Sequence, residues 1–193
     1  MSEKLYNNLL FQSIFLMSFL ILVGLLIPNW LVFVITKAIA YGLVGLGIIT
    51  LMRGGLVSFG QGFVFGIGGY TAGLLGTQAG LTDAMLLLFV SFLFTGLVGL
   101  IIAPLLARYR DIFFAMLSLA FSMVLYGILI KIDAIGGSDG FVLPESTYFG
   151  IKPSSEYADY VLYVVAIIMT GFISILLRYY YDSTPGLIAL AVR

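Results

Sequence analysis

Residues 54–80 read GGLVSFGQGFVFGIGGYTAGLLGTQAG and carry ten of the chain's 23 glycines. The architecture turns on this stretch. A helix crosses roughly 30 Å of hydrocarbon with about 20 apolar residues, and residues 56–76 have that length. They are apolar but Gly-rich, so a full span and a re-entrant segment are both open readings. Gly62, Gly66, Gly69, Gly73, Gly76 and Gly80 recur at spacings of four and three, which on a helix sets them along one face. Such a stripe lets two membrane helices approach closely, and Ala38, Gly42 and Gly45 repeat the pattern in the preceding run as a candidate opposing face. The plain reading is tight packing without solute contact. The functional one is that the glycines keep a helix close to a solute path, or break it and expose backbone dipoles. Ser58 and Gln61 share a face near the stripe. With Gly62, Gly66, Gly69, Tyr70 and Gly73 they form the candidate set for the translocation path or helix packing.

Working outward, five further runs are long and apolar enough to cross: 9–27, 30–51, 85–106, 112–130 and 157–177. The chain has 193 residues, 62% hydrophobic and 9% charged, with mean hydropathy +1.16. A soluble domain of this size cannot hide so much apolar surface from water. Only helices with internally satisfied backbones survive in lipid without closing into a barrel, so the expected class is an all-α polytopic membrane protein of about six spans forming one membrane-spanning domain over 1–193. The first run exceeds a signal-peptide core and lacks a small-residue cleavage site, so it reads as a retained span.

Orientation follows from the cations. With six spans and the N-terminus inside, Lys4, Arg53, Arg108, Arg110, Arg178 and Arg193 fall on the inner side, and Lys131 and Lys152 on the outer. That bias favours an N-terminus in the cytoplasm and a full crossing by 56–76. Lys37 is the one cation inside a span; its stem is expected to snorkel or to lie in a subunit contact.

Two further concentrations lie outside the spans. The outer loop, 131–156, holds Gly136, Gly137, Ser138, Asp139 and Gly140, all turn formers; it reads as a connection or as an ordered cap over the outer mouth of a pathway. The segment 182–193, on the inner side, reads as a short helix capped by Ser183 or Thr184, with Pro185 in its first turn.

Several chemistries are excluded. Nine Lys/Arg against nine Asp/Glu leave no basic surface for nucleic acid. The chain contains no Cys and no His, which removes disulfides, thiolate chemistry and His or Cys metal sites. No lysine follows a glycine, so there is no phosphate loop. Every Asp and Glu lies in a loop or at a span end, leaving no intramembrane carboxylate for proton coupling. Solute passage or scaffolding remains, rather than enzymatic chemistry.

Four motifs then carry a resemblance. Residues 55–75, GLVSFGQGFVFGIGGYTAGLL, resemble the G-x-x-S-x-G and F-x-G-I-G-A-Y-x-A hallmark of LivM-type permeases of branched-chain amino-acid ABC importers. Residues 110–121, RDIFFAMLSLAF, are similar to that family's G-I-Y-F-A-x-x-T-L-A-F, GGSDG at 136–140 to its G-G-S-D/N-G loop, and 183–193, STPGLIALAVR, to its ATPase-contacting S-P-x-G-R-x-x-x-A-I-R. The departures are Gly69 for Ala, Asp111 for Gly, Ser118 for Thr and Leu187 for Arg. The resemblance implies an inner-membrane importer subunit for leucine, isoleucine and valine. It implies a second, LivH-like permease subunit, two cytoplasmic ATP-binding subunits and an extracytoplasmic solute-binding protein. No cofactor is implied in this chain, ATP being used by the partners, and Ser183, Gly186, Ala191 and Arg193 are the implied coupling residues. Permeases for urea or short amides are similar, and a non-transporting scaffold is the alternative of another class. Members continue past the coupling stretch, so a truncated or partial subunit is expected.

Overall fold

The computed structural model describes residues 3–137, 140, 142–154 and 157–191, with side chains from residue 12 onward. Among them the regular elements are helical: α1 (Glu3–Leu26), α2 (Asn29–Arg53), α3 (Gln61–Thr77), α4 (Ala84–Leu106), α5 (Asp111–Lys131), a 3-10 turn (Asp133–Ile135), α6 (Ala158–Asp182) and α7 (Thr184–Ala191). Helices α2, α4, α5 and α6 are each long and apolar enough to cross a membrane, and α1 contributes the shorter apolar stretch Gln12–Leu26.

The Gly-rich stretch departs from its expected bounds. Residues 56–60 are not helical, and α3 starts only at Gln61. Its 17 residues rise about 25 Å, less than the hydrocarbon thickness. The cause is local: the Ser58 hydroxyl accepts the Gly60 N–H at 3.1 Å, a side-chain turn that competes with helix formation. At the other extreme α6 runs through Asp182 rather than ending near 177. The apolar run stops there, but nothing in Arg178-Tyr179-Tyr180-Tyr181 breaks a helix.

The chain divides into two compact units, one of Met1–Leu46 with Pro153–Arg193 and one of Gly47–Lys152. In the first, α1 packs on α6 around buried Val32, Tyr163 and Ile167. The Tyr163 hydroxyl donates to the Leu20 carbonyl at 2.8 Å, and that of Tyr160 to Ile21 at 3.2 Å. Gly24 lies beneath the Tyr163 ring, where any side chain would collide with it. A tyrosine set into a glycine notch lets the two backbones close up, while the phenol finds the partner that burial demands.

In the second unit α3 packs against both α4 and α5. Its glycine stripe does not serve a single neighbour. Gly62 and Gly66 face Ser122 and Leu125 of α5, Gly69 has no atom within 4 Å of where a Cβ would sit, and Gly76 lies under Leu143 and Leu87.

Candidate functional site

The site is built around the broken entry to α3. Backbone without helical partners at membrane depth must be satisfied by protein, and two serines one turn apart on α5 do this. The Phe59 N–H donates to Ser118 Oγ at 3.1 Å, and Ser118 Oγ–H donates to the Ala115 carbonyl at 2.8 Å. The Phe63 N–H donates to Ser122 Oγ at 3.2 Å, and Ser122 donates back to the Phe59 carbonyl at 3.3 Å. Ser118 is 2% exposed, and a Cβ on Gly60 would stand 3.1 Å from its Cβ. The entry is therefore stitched to α5 at close approach.

Among the described residues, crevices open around α3. One of about 320 Å³ is lined by Ser58, Gln61, Phe114 and Ser118 among others. Buried Ser58 spends its hydroxyl on Gly60, and the Gln61 carboxamide lies against Gly47, whose Cβ would stand 3.3 Å from Oε1. A second, of about 300 Å³ between α3 and α5, brings together Gly62, Gly66, Tyr70, Ser122, Gly137 and Gly140. The largest, about 700 Å³, lies between α3 and α4 and includes Gly69, Ser91, Thr95 and Leu143. Gly73 is buried in α3. The candidates thus divide among separate spaces rather than lining one.

The loop between α5 and α6 contributes Gly137 and Gly140 to the second of these crevices and Leu143 to the largest. Gly136 (φ +95), Gly137 (φ +48) and Gly140 (φ +72) are left-handed, and the Gly140 N–H returns to the Gly136 carbonyl at 2.9 Å. At Gly136 a Cβ would collide with the Gly140 backbone, so this tight return requires glycine. Ser138 and Asp139 lie outside the described residues. Gln78 Nε2 donates to the Ala134 carbonyl at 3.2 Å, tying the end of α3 to the 3-10 turn. Further on, Tyr148 and Ile151 exchange backbone bonds at 2.9 and 3.0 Å, and Phe149 (φ +51) and Gly150 (φ +79) form the tip between them.

Asp83 clasps this hairpin to α4. Oδ1 accepts the Met85 and Leu86 N–H groups at 3.0 and 3.2 Å, and Oδ2 accepts that of Gly150 at 3.1 Å. Alongside, the Thr147 N–H donates to Thr82 and the Ala84 N–H to Thr147, both at 2.8 Å. The Leu86 N–H, with those of Gly150 and Met85, holds the Asp83 carboxyl below its ordinary pKa, because the bonds favour the charged form.

At the other end, α6 and α7 meet in an elbow at Ser183. The Ser183 hydroxyl donates to the Tyr180 carbonyl, closing α6, and the Ser183 carbonyl accepts the Leu187 N–H at 3.0 Å where α7 begins at Thr184. Gly186 is buried, and a Cβ there would strike the Tyr180 carbonyl oxygen and backbone; only glycine lets α7 press so closely on α6. Ala191 is the exposed last residue of α7, and Arg193 lies outside the described residues. Lys37 reaches one turn back along α2, its Nζ 4.4 Å from the Phe33 ring centroid, a cation–π contact that shields the charge in place of water.

The sequence did not mark Ser122, Ser91, Thr95 or Asp83, and marked Ser118 only as a departure from a motif, not as a site residue. The signal for the four hydroxyl residues was a pair of hydroxyls at i, i+4 within an otherwise apolar span; for Asp83 it was an N-cap residue directly before the run beginning at Ala84.

A family model described as "Branched-chain amino acid transport system / permease component" matches residues 30–193. No curated protein and no solved structure matches the chain.

Proposed function

Because the chain belongs to the branched-chain amino acid transport system permease family, and is a multi-pass membrane protein with four helices fit to cross a bilayer among its described residues, we propose that it is a LivM-type permease subunit of an ATP-driven importer for leucine, isoleucine and valine. It sits in the inner membrane with its N-terminus in the cytoplasm. It pairs with a LivH-like permease, two cytoplasmic ATP-binding subunits and an extracytoplasmic solute-binding protein. It holds no cofactor itself, and ATP is consumed by the partners. The family match over 30–193 is the observation that carries this reading.

The elbow at Ser183 supplies the mechanical element. Nucleotide binding shifts a population between two packings only through contacts that differ between them. A partner's push on α7 reaches the backbone of Tyr180 and Tyr181 directly, since nothing but hydrogen separates Gly186 from it. From there α6 carries the motion to α1 through the bonds of Tyr163 to Leu20 and Tyr160 to Ile21. The glycines of α3 let neighbouring helices slide without disengaging interlocked side chains. Arg193 and Ala191 would complete the contact with the ATPase, and Ser58, Gln61 and Tyr70 would face the moving solute.

The test is uptake of labelled leucine in a strain lacking its own branched-chain importer, complemented with this chain and its neighbouring permease, ATPase and binding-protein genes. ATP-dependent uptake that Gly186→Val abolishes is the expected result. Uptake of urea or a short amide in preference to leucine would overturn the substrate, and no ATP-dependent uptake of any of them would overturn the importer.

A further inference from the structure

The α3–α4 cavity carries a recognition feature that the coupling mechanism does not use. Its volume is about 700 Å³, a size typical of small-molecule sites, and among the described residues that line it none is acidic or basic. Two of its lining residues, Ser91 and Thr95, stand one turn apart on α4. Ser91 is 8% exposed, and neither Ser91 Oγ nor Thr95 Oγ1 has a hydrogen-bond partner. Serines and threonines in helices commonly return their hydroxyl to the carbonyl four residues back, as Thr36, Thr71, Thr77 and Thr170 do here. Ser91 and Thr95 do not. At the helical rise they lie about 10 Å and about 16 Å past the start of α4, within the hydrocarbon. Opposite them, Gly68 of α3 faces Thr95: a Cβ there would meet Thr95 Oγ1 at 3.4 Å, an ordinary van der Waals contact. Leu143, from the outer loop, lines the cavity as well.

We propose that this cavity binds a small uncharged solute with an aliphatic body and one amide or carbonyl head, the head bonding to Ser91 and Thr95. Two hydroxyls in an apolar wall can satisfy a carbonyl oxygen and an amide N–H. They cannot satisfy a carboxylate and an ammonium together, whose desolvation needs opposite charges nearby. The site therefore discriminates against zwitterionic amino acids, and it stands whether or not the chain belongs to an importer of them.

The experiment is photolabelling of the full chain in lipid vesicles with 4,4-azipentanamide, an uncharged alkyl-diazirine amide. Photo-leucine, its zwitterionic counterpart, runs in parallel, and mass spectrometry maps the insertions. Insertion at lining residues of α3 and α4 such as Phe65 and Phe92, competed by isovaleramide, is expected. It should fall at least about fivefold in Ser91→Ala/Thr95→Val, which keeps the wall's shape but removes the hydroxyls that discriminate. Thr95→Ser, which keeps a hydroxyl, should label normally; a matching thermal midpoint for the double variant checks its fold. Equal labelling by photo-leucine, indifference to the double variant, insertion confined to other helices, or labelling that appears only after lipid is stripped in detergent would each overturn the proposal. The last would mean that lipid fills the space.

Discussion

Replacing Ser118 by alanine removes the acceptor of the Phe59 N–H, a 3.1 Å bond into a segment with no helical ladder of its own. Hydrogen bonds between side chains in membranes average only about 0.6 kcal/mol, because the unfolded state in lipid finds other partners. A larger figure applies here, since the donor is backbone and its acceptor, Ser118, is 2% exposed, the bond itself being part-buried; a buried N–H left unsatisfied costs about 1–3 kcal/mol. Ser122→Ala is the internal comparison. The Phe63 N–H that bonds Ser122 also donates to the Gly60 carbonyl at 3.1 Å, so its loss should cost about 0.5–1 kcal/mol, within the range of an ordinary net hydrogen bond. For a chain of this size about 2 kcal/mol corresponds to a melting shift of roughly 4–8 °C. Thermal unfolding of the purified protein in a fixed detergent should therefore rank wild type above Ser122→Ala and Ser122→Ala above Ser118→Ala. An unchanged midpoint for Ser118→Ala, or the reverse ranking, would refute the account of how the entry to α3 is held.

Three further outcomes are expected. Gly186→Ala drives a Cβ into the Tyr180 carbonyl, so α7 must lift from α6; in the assembled transporter, substrate-stimulated ATP hydrolysis should fall at least about tenfold, the effect of losing about 1.4 kcal/mol of coupling. Asp111 opens α5 at φ +53, a conformation that asparagine, aspartate and above all glycine tolerate. Asp111→Ala should consequently be about 1 kcal/mol less stable than Asp111→Gly, read from thermal midpoints. The Asp83 clasp should open in acid. Its folded pKa is lowered from the ordinary carboxylate value by the backbone N–H bonds, so its contribution is complete above the unfolded value and is lost as pH falls through the folded one. A fluorophore on the 148–151 hairpin should report release only below about pH 4, and Asp83→Asn, which keeps an acceptor but cannot ionise, should abolish that transition.

The helical architecture was legible because hydrophobicity in a membrane chain is a direct statement about solvent. The runs at 30–51, 85–106, 112–130 and 157–177 reappear as α2, α4, α5 and α6 within a few residues, apart from the Tyr-rich extension of α6. Where the signal came from glycine it faded. A stripe without side chains says that something comes close, not what, and the stripe of α3 turned out to face α5, an open cavity and the outer loop in succession. The start of α3 at Gln61 was hidden for a related reason: a serine hydroxyl folding back on Gly60 competes with the helix at a scale that composition does not register. Asp111 stands where the motif it resembles has glycine, and its φ of +53 is a conformation that both residues accept. The hairpin tip at Phe149 had no local signature, because a bulky residue at positive φ is imposed by tertiary contacts, here the bonds of Asp83 and Thr147.

The most direct measurement uses the absence of cysteine from the chain to place its two faces. Val142, 91% exposed in the outer loop, and Leu187, 55% exposed on α7, are each replaced by cysteine and treated with a membrane-impermeant maleimide. In intact spheroplasts Val142→Cys should label and Leu187→Cys should not, with Leu187→Cys labelling once the membrane is opened. Labelling of Leu187→Cys from outside would put α7 on the wrong face for a cytoplasmic ATPase and contradict the account.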